Sequence, residues 1–181
     1  MGKAYYWQMD YSTASQVLSH ASNEFKNEKI KIHSRIWLAR SENEMNDYRE
    51  ARQILESLAK DKNMPSSLKS EFHATYADFY LQQGQHEEAI PWLKKAIDHE
   101  SDKTTRVRYN FILAQIYEET EQYDQAFRQY SNVIEMKPDY KMEFNAKLKT
   151  ALLYKRTNRQ GQEVKRQLKK MLENERNEDY F

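Results

Sequence analysis

Five histidines, at 20, 33, 73, 86 and 99, are the side chains of this 181-residue chain best suited to metal or acid–base chemistry. His20 and Glu24 stand four apart, a spacing that lets two metal ligands share a helix face. No third ligand accompanies them in the sequence. Glu28 and His33 are five apart, which turns them off a shared face. His86 falls in a column of packing aromatics and reads as a helix-start residue. Cysteine is absent, which removes disulfides, zinc–thiolate sites and cysteine nucleophiles. No glycine-rich phosphate loop, nucleophile elbow or zinc-protease motif occurs. Carboxylates are plentiful, but a solvated helix surface accounts for them, whereas catalysis needs perturbed groups in one pocket. The chain therefore reads as a non-enzyme, with no catalytic residues, no metal site and no cofactor.

The formal charge is +1, so no net field points to nucleic acid or membrane. Charge is nonetheless uneven. Lys137 to Lys170 holds 11 basic and 3 acidic residues, just after the acidic run Glu118-Glu119-x-Glu121. Lys165, Arg166, Lys169 and Lys170 form a basic patch without interleaved stacking aromatics. It reads as a solvated outer face. No nucleic acid is expected; the alternative is a nucleic acid or an acidic partner docking on this basic last repeat.

Elements come next. Apolar residues make up 39% and charged residues 31%, too wet for one deep core. The 13 Tyr, 7 Phe and 3 Trp argue equally against disorder. Gly and Pro number three each, too few for the turns of a strand-rich fold. No run of about 18 apolar residues exists, so no transmembrane segment is expected.

Internal periodicity reconciles these facts. Tyr11/Ala14, Tyr48/Ala51, His86/Ala89 and Tyr123/Ala126 fall into register, their small residues 37, 38 and 37 positions apart. Leu18, Leu55, Leu93 and Tyr130 follow four residues later. A second column holds Ala39, Ala77, Ala114 and Ala151. Three residues beyond it stand Glu42, Tyr80, Tyr117 and Tyr154, with Tyr5 matching at the start. Spacings of three and four place these residues on one helix face, where Ala lets helix axes approach.

The pattern predicts antiparallel pairs of an A helix and a B helix. A helices are expected near 30–44, 67–83, 104–120 and 141–157. B helices are expected near 11–25, 48–60, 86–99, 123–136 and 162–174. A partial repeat would occupy 2–29, and full repeats about 30–64, 67–102, 104–138 and 141–176, in one array over 1–181. Ser66 or Ser67 is expected to cap the helix after the Asp61–Ser67 break. Pro91 should sit about one turn into its helix as a tolerated kink.

These columns resemble the tetratricopeptide repeat. Leu113-Ala114, Tyr117, Tyr123-x-x-Ala126, Tyr130 and Pro138 carry the signature best. Tyr76-Ala77, Tyr80, Gly84, His86-x-x-Ala89 and Leu93 carry it next, while Glu42 stands where an aromatic is usual. The resemblance implies an all-α fold, an α-solenoid of antiparallel helix pairs wound as a superhelix, and a protein-binding scaffold.

A narrower resemblance rests on Arg108–Tyr117, Lys137–Ala146 and Gly2–Tyr6. These segments are similar to the PorW/SprE-type tetratricopeptide lipoproteins of Bacteroidota, linked to type IX secretion and gliding. It implies a cell-envelope assembly and a periplasmic or outer-membrane-associated place, with a cytoplasmic one left open. That family typically has Asn-Pro-Pro-Tyr where this chain has Lys137-Pro138-Asp139-Tyr140, and no lipoprotein Cys is present. The chain reads as an internal fragment whose two ends expose apolar seams, with self-association a possible consequence.

In such arrays the A helices line the concave side, and the partner is a protein or peptide. By register that face holds His33, Ile36, Arg40 and Asn43 in the first full repeat. Glu71, Ala74, Asp78 and Leu81 follow in the second. The third gives Arg108, Phe111, Gln115 and Glu118, and the fourth Asn145, Leu148, Leu152 and Lys155. The family's carboxylate-clamping members use Lys, Asn and Arg at the places held here by Ile36, Arg40, Ala74, Asp78, Phe111 and Gln115. Here Arg40 is the one cation among the matching positions and Asp78 would repel a carboxylate, so no chaperone-tail binding is expected.

Overall fold

The computed structural model describes residues 1–156 together with 166, 169 and 171. The chain divides into two compact units, Met1–Glu100 and Ser101–Phe181. All regular structure among the described residues is helical.

The first unit holds α1 (Gly2–Trp7), α2 (Tyr11–Glu24), α3 (Glu28–Glu44), α4 (Tyr48–Ala59), α5 (Ser66–Gln82) and α6 (His86–His99). α1, α3 and α5 are A-type and α2, α4 and α6 B-type. The second unit holds α7 (Lys103–Glu119), α8 (Tyr123–Glu135) and α9 (Tyr140–Leu153), followed by a 3-10 turn at Tyr154–Arg156. The expected fourth A helix thus tightens three residues before its anticipated end. The expected last B helix lies outside the described residues, apart from helical backbone at 166, 169 and 171.

α1, α3, α5 and α7 each pass to the next helix through a corner of the same design. Met9, Asn46, Gly84 and Glu121 adopt left-handed backbone, with φ of 62°, 61°, 69° and 58°. These positions repeat at 37, 38 and 37 residues, the period of the sequence columns. The next N–H reaches back five residues: Asp10 to Tyr5, Asp47 to Glu42, Gln85 to Tyr80 and Gln122 to Tyr117. This is the Schellman closure, which satisfies carbonyls that a helix end leaves open. The sequence column at 5, 42, 80 and 117 therefore also supplies the acceptor of the corner bond.

Side-chain caps start most helices. Asp10, Asn27, Asp47, Asp102 and Asp139 each accept an N–H three residues on, at 2.7–3.2 Å. α5 differs from expectation: Pro65 takes the cap position with φ −60° and ψ 136°, and makes no side-chain bond. Ser66 is already the first helical residue, so proline's fixed φ starts the helix in place of a serine hydroxyl. Pro91 lies at the sixth residue of α6, where it removes the bond that would reach the Glu87 carbonyl.

The Ala columns are buried as their spacing requires. Ala14, Ala39, Ala51, Ala89, Ala114 and Ala126 are all fully enclosed. In the first unit, Ile32 and Ile36 of α3 pack with Ile54, Leu55 and Leu58 of α4 and with Leu68, Phe72 and Tyr76 of α5. Glu42, in its aromatic column, is buried as well; Ser15 Oγ donates to its carboxylate at 2.5 Å. In the second unit, Tyr130 and Val133 of α8 are fully enclosed, and Phe111 of α7 meets the Tyr130 ring edge-on at 5.3 Å.

Candidate interaction surface

The A-type helices of the first unit meet along one line, and that line concentrates its polar and aromatic groups. Between α1 and α3, Tyr6 OH donates to Glu44 Oε1 at 2.9 Å. The Tyr6 and Trp37 rings meet edge-on at 5.1 Å, and Trp7 joins Trp37 at 5.7 Å. Lys3 Nζ lies 4.4 Å from the Trp37 ring and the Arg40 guanidinium 4.6 Å from it, a double cation–π contact.

Between α3 and α5, His33 Nε2 stands 3.0 Å from Glu71 Oε2, and Trp37 Nε1 donates to Glu71 Oε1 at 2.9 Å. Arg40 Nε donates to Thr75 Oγ1 at 2.8 Å. Further along, Asn43 Nδ2 donates to Asp78 Oδ2 at 3.3 Å, and Gln82 Nε2 reaches Glu44 and Asp78 at 3.4 Å each.

The two ends of this line differ in electrostatics. Burial pushes the Glu71 carboxyl up, but His33, Arg40 and Lys3 outweigh it and hold the group below the usual range. Burial raises Asp78; Glu44 adds to the rise and Arg40 only partly opposes it. Burial and Glu44 also raise the Tyr6 phenol. The Glu71 end is thus balanced by its own cations. The Glu44/Asp78 end is served mainly by neutral donors and retains negative character. Trp7, in ring contact with Tyr6 and Trp37, is 71% exposed.

The expected face residues separate into two groups. His33, Arg40, Glu71 and Asp78 lie on this line, half-buried; His33 and Arg40 pair with Glu71, and Asp78 accepts from Asn43 and Gln82. Ile36, Asn43 and Ala74 are instead buried, at 0%, 2% and 9% exposure, and offer no surface. Leu81 is half-buried. The reason is angular. A helix turns about 100° per residue, so a step of ten residues from His33 to Asn43 drifts about 80° toward the core, while eleven residues to Glu44 return within about 20°. The stripe that reaches the surface is His33, Arg40 and Glu44 on α3 and Glu71, Asp78 and Gln82 on α5, with Trp37 and Thr75 on the same line but buried beneath it. Trp37, Glu44, Thr75 and Gln82 were missed, although the 4-3-4 spacing that finds them was present in the sequence.

In the second unit, Arg108, Gln115 and Leu152 are exposed, and Phe111, Asn145 and Leu148 are half-buried. Glu118 accepts Lys149 Nζ at 3.1 Å and Tyr130 OH at 3.0 Å. Lys155 falls in the 3-10 turn, its side chain outside the described residues. Of the basic patch, Arg166 and Lys169 are exposed, while Lys165 and Lys170 lie outside the described residues. His20 and Glu24 both fall on α2; Glu28 binds Lys31 at 3.1 Å and His33 turns to Glu71. Among the described residues no three His, Cys, Asp or Glu side chains converge on a metal position. No helix among them is long and apolar enough to cross a membrane.

Stacked antiparallel pairs, a 37–38-residue period and a shared corner define a helical-repeat protein. Two models of the tetratricopeptide repeat match, over residues 38–103 and 71–139, together more than half of the chain. The chain belongs to the tetratricopeptide repeat family. No curated protein sequence matches it. Among solved structures it is similar to MamA, at 17% identity and a TM-score of 0.72, over 100% of this chain and 98% of that one. A MamA segment from Desulfovibrio magneticus RS-1 gives 14% identity and a TM-score of 0.69, covering 98% and 93%. Nearly identical repeats of a putative kinesin light chain from Podosopora anserina give 19% and 0.71, covering 93% and 88%. These likenesses establish the fold. Membership of the family supports a protein-interaction scaffold.

Proposed function

We propose that the chain is a non-catalytic scaffold that captures a protein or peptide along α1, α3 and α5, within a bacterial cell-envelope assembly related to secretion or gliding. The observation that carries the docking face is the line from Lys3 and Trp37 to Glu44 and Asp78. It joins three helices through a buried Trp37 and the half-buried Tyr6, Arg40, Glu44, Glu71 and Asp78, with the exposed indole of Trp7 packed on Tyr6 and Trp37. Such a face suits an extended segment carrying a basic residue, held by aromatic contact and charge. The envelope setting is supported by the likeness of Arg108–Tyr117, Lys137–Ala146 and Gly2–Tyr6 to the PorW/SprE-type lipoproteins.

The test is affinity capture with the full chain and with an E44K/D78K double variant. One protein retained by the wild type across moderate salt, and lost from the variant, is the expected result. Capture of nucleic acid with steep salt dependence would overturn it.

A further inference from the structure

Within the second unit a cavity of about 210 Å³ lies between the first turns of α7 and α9, beside the loop that joins α8 to α9. Val107, Pro138 and Met142 give it apolar walls. Lys103, Arg108 and Lys137 line it too. All three are exposed, and none of their side chains has an ion pair or hydrogen bond with another described residue. Asp139 is the one carboxylate among the described lining residues, and its Oδ1 is taken by the Met142 N–H at 3.0 Å.

The first unit holds the same corner between α3 and α5, and there it is closed. Ile32 and Val107 are the fifth residues of α3 and α7, and Leu68 and Met142 the third residues of α5 and α9. Met64 and Pro138 each stand two residues before the second helix of the pair. Ile32 and Leu68 are buried in one core cluster, and Met64 packs against it. Val107 and Pro138 are smaller than the residues they match, so the corner of the second unit keeps a space that close packing would fill. The charges differ in the same sense. His33 and Arg108 are the sixth residues of α3 and α7, and Glu71 and Asn145 the sixth of α5 and α9. His33 meets the Glu71 carboxylate at 3.0 Å, whereas Asn145 donates to the Lys141 carbonyl of its own helix at 2.9 Å. The first unit thus supplies an apolar side chain and a carboxylate from its own sequence. The second supplies neither, and sets three cations around the opening.

We infer that this cavity seats one apolar side chain of an acidic partner polypeptide, whose flanking carboxylates meet Lys103, Arg108 and Lys137. The cavity is smaller than the clefts of roughly 300–1,000 Å³ that hold drug-sized ligands, and suits a single side chain. Cations around an apolar seat select a segment of opposite charge and fix its register. This goes beyond the line across α1, α3 and α5, which suits a basic segment, so the two faces select opposite charges.

The probe is a fluorescein-labelled, end-capped peptide, Gly-Glu-Glu-Met-Glu-Glu-Gly, titrated with the full chain. Its anisotropy should rise to saturation. A peptide with Gln in place of every Glu, and one with Ser in place of Met, should each bind at least about tenfold more weakly. R108E/K137E should weaken the first peptide by a similar factor, with helical content by circular dichroism unchanged, since both positions are exposed. E44K/D78K should leave binding within about twofold of wild type, which separates failure of this site from failure of the other face. K165E/R166E/K169E/K170E should do the same. Absence of saturable binding overturns the inference, as does wild-type affinity for the Gln peptide, for the Ser peptide or in R108E/K137E. Loss of binding in K165E/R166E/K169E/K170E alone overturns it by assigning the peptide to the basic patch. Displacement by inorganic phosphate, at the concentration where unlabelled peptide displaces, overturns it by assigning the cavity to a free anion.

Discussion

The two compact units use one repeat geometry for different ends. In the first, carboxylates and aromatics of α1, α3 and α5 are drawn into one bonded line, and this unit holds Trp7, Trp37, Trp92 and all five histidines of the chain. In the second, the equivalent helices α7 and α9 are joined by the Glu118–Lys149 pair, with Tyr130 OH as a third member. Their remaining outward residues, Arg108, Gln115 and Leu152, are exposed. The difference teaches that the repeat columns specify packing alone. The bonded polar and aromatic line is built from positions between the columns, and these differ from repeat to repeat.

The largest effect should come from the first unit's core. Phe79 is fully enclosed and meets the Tyr48, Tyr76 and Tyr80 rings at 5.3–6.3 Å, with Arg52 over its face. Phe79→Ala should cost about 3–5 kcal/mol through lost burial and a residual cavity. Because every tryptophan lies in the first unit, denaturation followed by indole fluorescence reports that unit, while circular dichroism reports both. The fluorescence midpoint should fall further than the dichroism midpoint. Equal shifts by both probes would show that the units unfold as one cooperative block.

Most of the fold was legible from residue spacing, because burial repeats with the helix period. The Ala and Leu columns located α2 to α9 to within about four residues. The aromatic column was legible as packing, but its second role, the carbonyl that closes each corner, is a backbone property that side-chain types do not encode. The bonded line across α1, α3 and α5 was half legible. His33, Arg40, Glu71 and Asp78 were expected on it, while Ile36 and Asn43 were assigned to the surface by a step that drifts inward over three turns. The Tyr6–Glu44 and Trp37–Glu71 bonds join residues 38 and 34 apart, so they depend on how neighbouring repeats are aligned.

A smaller effect separates the units by pH. His73 is half-buried, its Nδ1 enclosed without a partner, and its ring is 5.1 Å from that of His99. Burial first, then the charges of His99, Lys95 and Lys69, against an opposing hydrogen bond to the Lys95 backbone, together lower its pKa to about 4. The unfolded chain therefore binds a proton at higher pH than the folded one. The stabilising contribution is complete above about pH 6.5 and is lost as pH falls toward about 4. Allowing for solvent screening of a half-exposed ring, the loss should be on the order of 1–2 kcal/mol. His73→Phe should flatten that part of the fluorescence-detected stability profile. A variant with the wild-type slope would place the titration on another group.

The smallest predicted effect tests the feature the units share. Gly84 takes its left-handed corner without penalty, and nothing lies within 4 Å of a Cβ built there, so its fitness is purely conformational. Met9 and Glu121 adopt nearly the same φ with side chains that disfavour it, whereas Asn46 tolerates the region better. Met9→Gly in the first unit and Glu121→Gly in the second should each stabilise by about 0.5–1 kcal/mol, and Asn46→Gly by less. The gain is limited because glycine also loosens the unfolded chain. Met9 and Glu121 are both exposed, so few contacts are lost on truncation. Thermal unfolding should show upward shifts for both variants, read by fluorescence for Met9→Gly and by circular dichroism for Glu121→Gly. If only one gains, the corners are not equivalent, and side-chain contacts in that unit outweigh the shared backbone geometry.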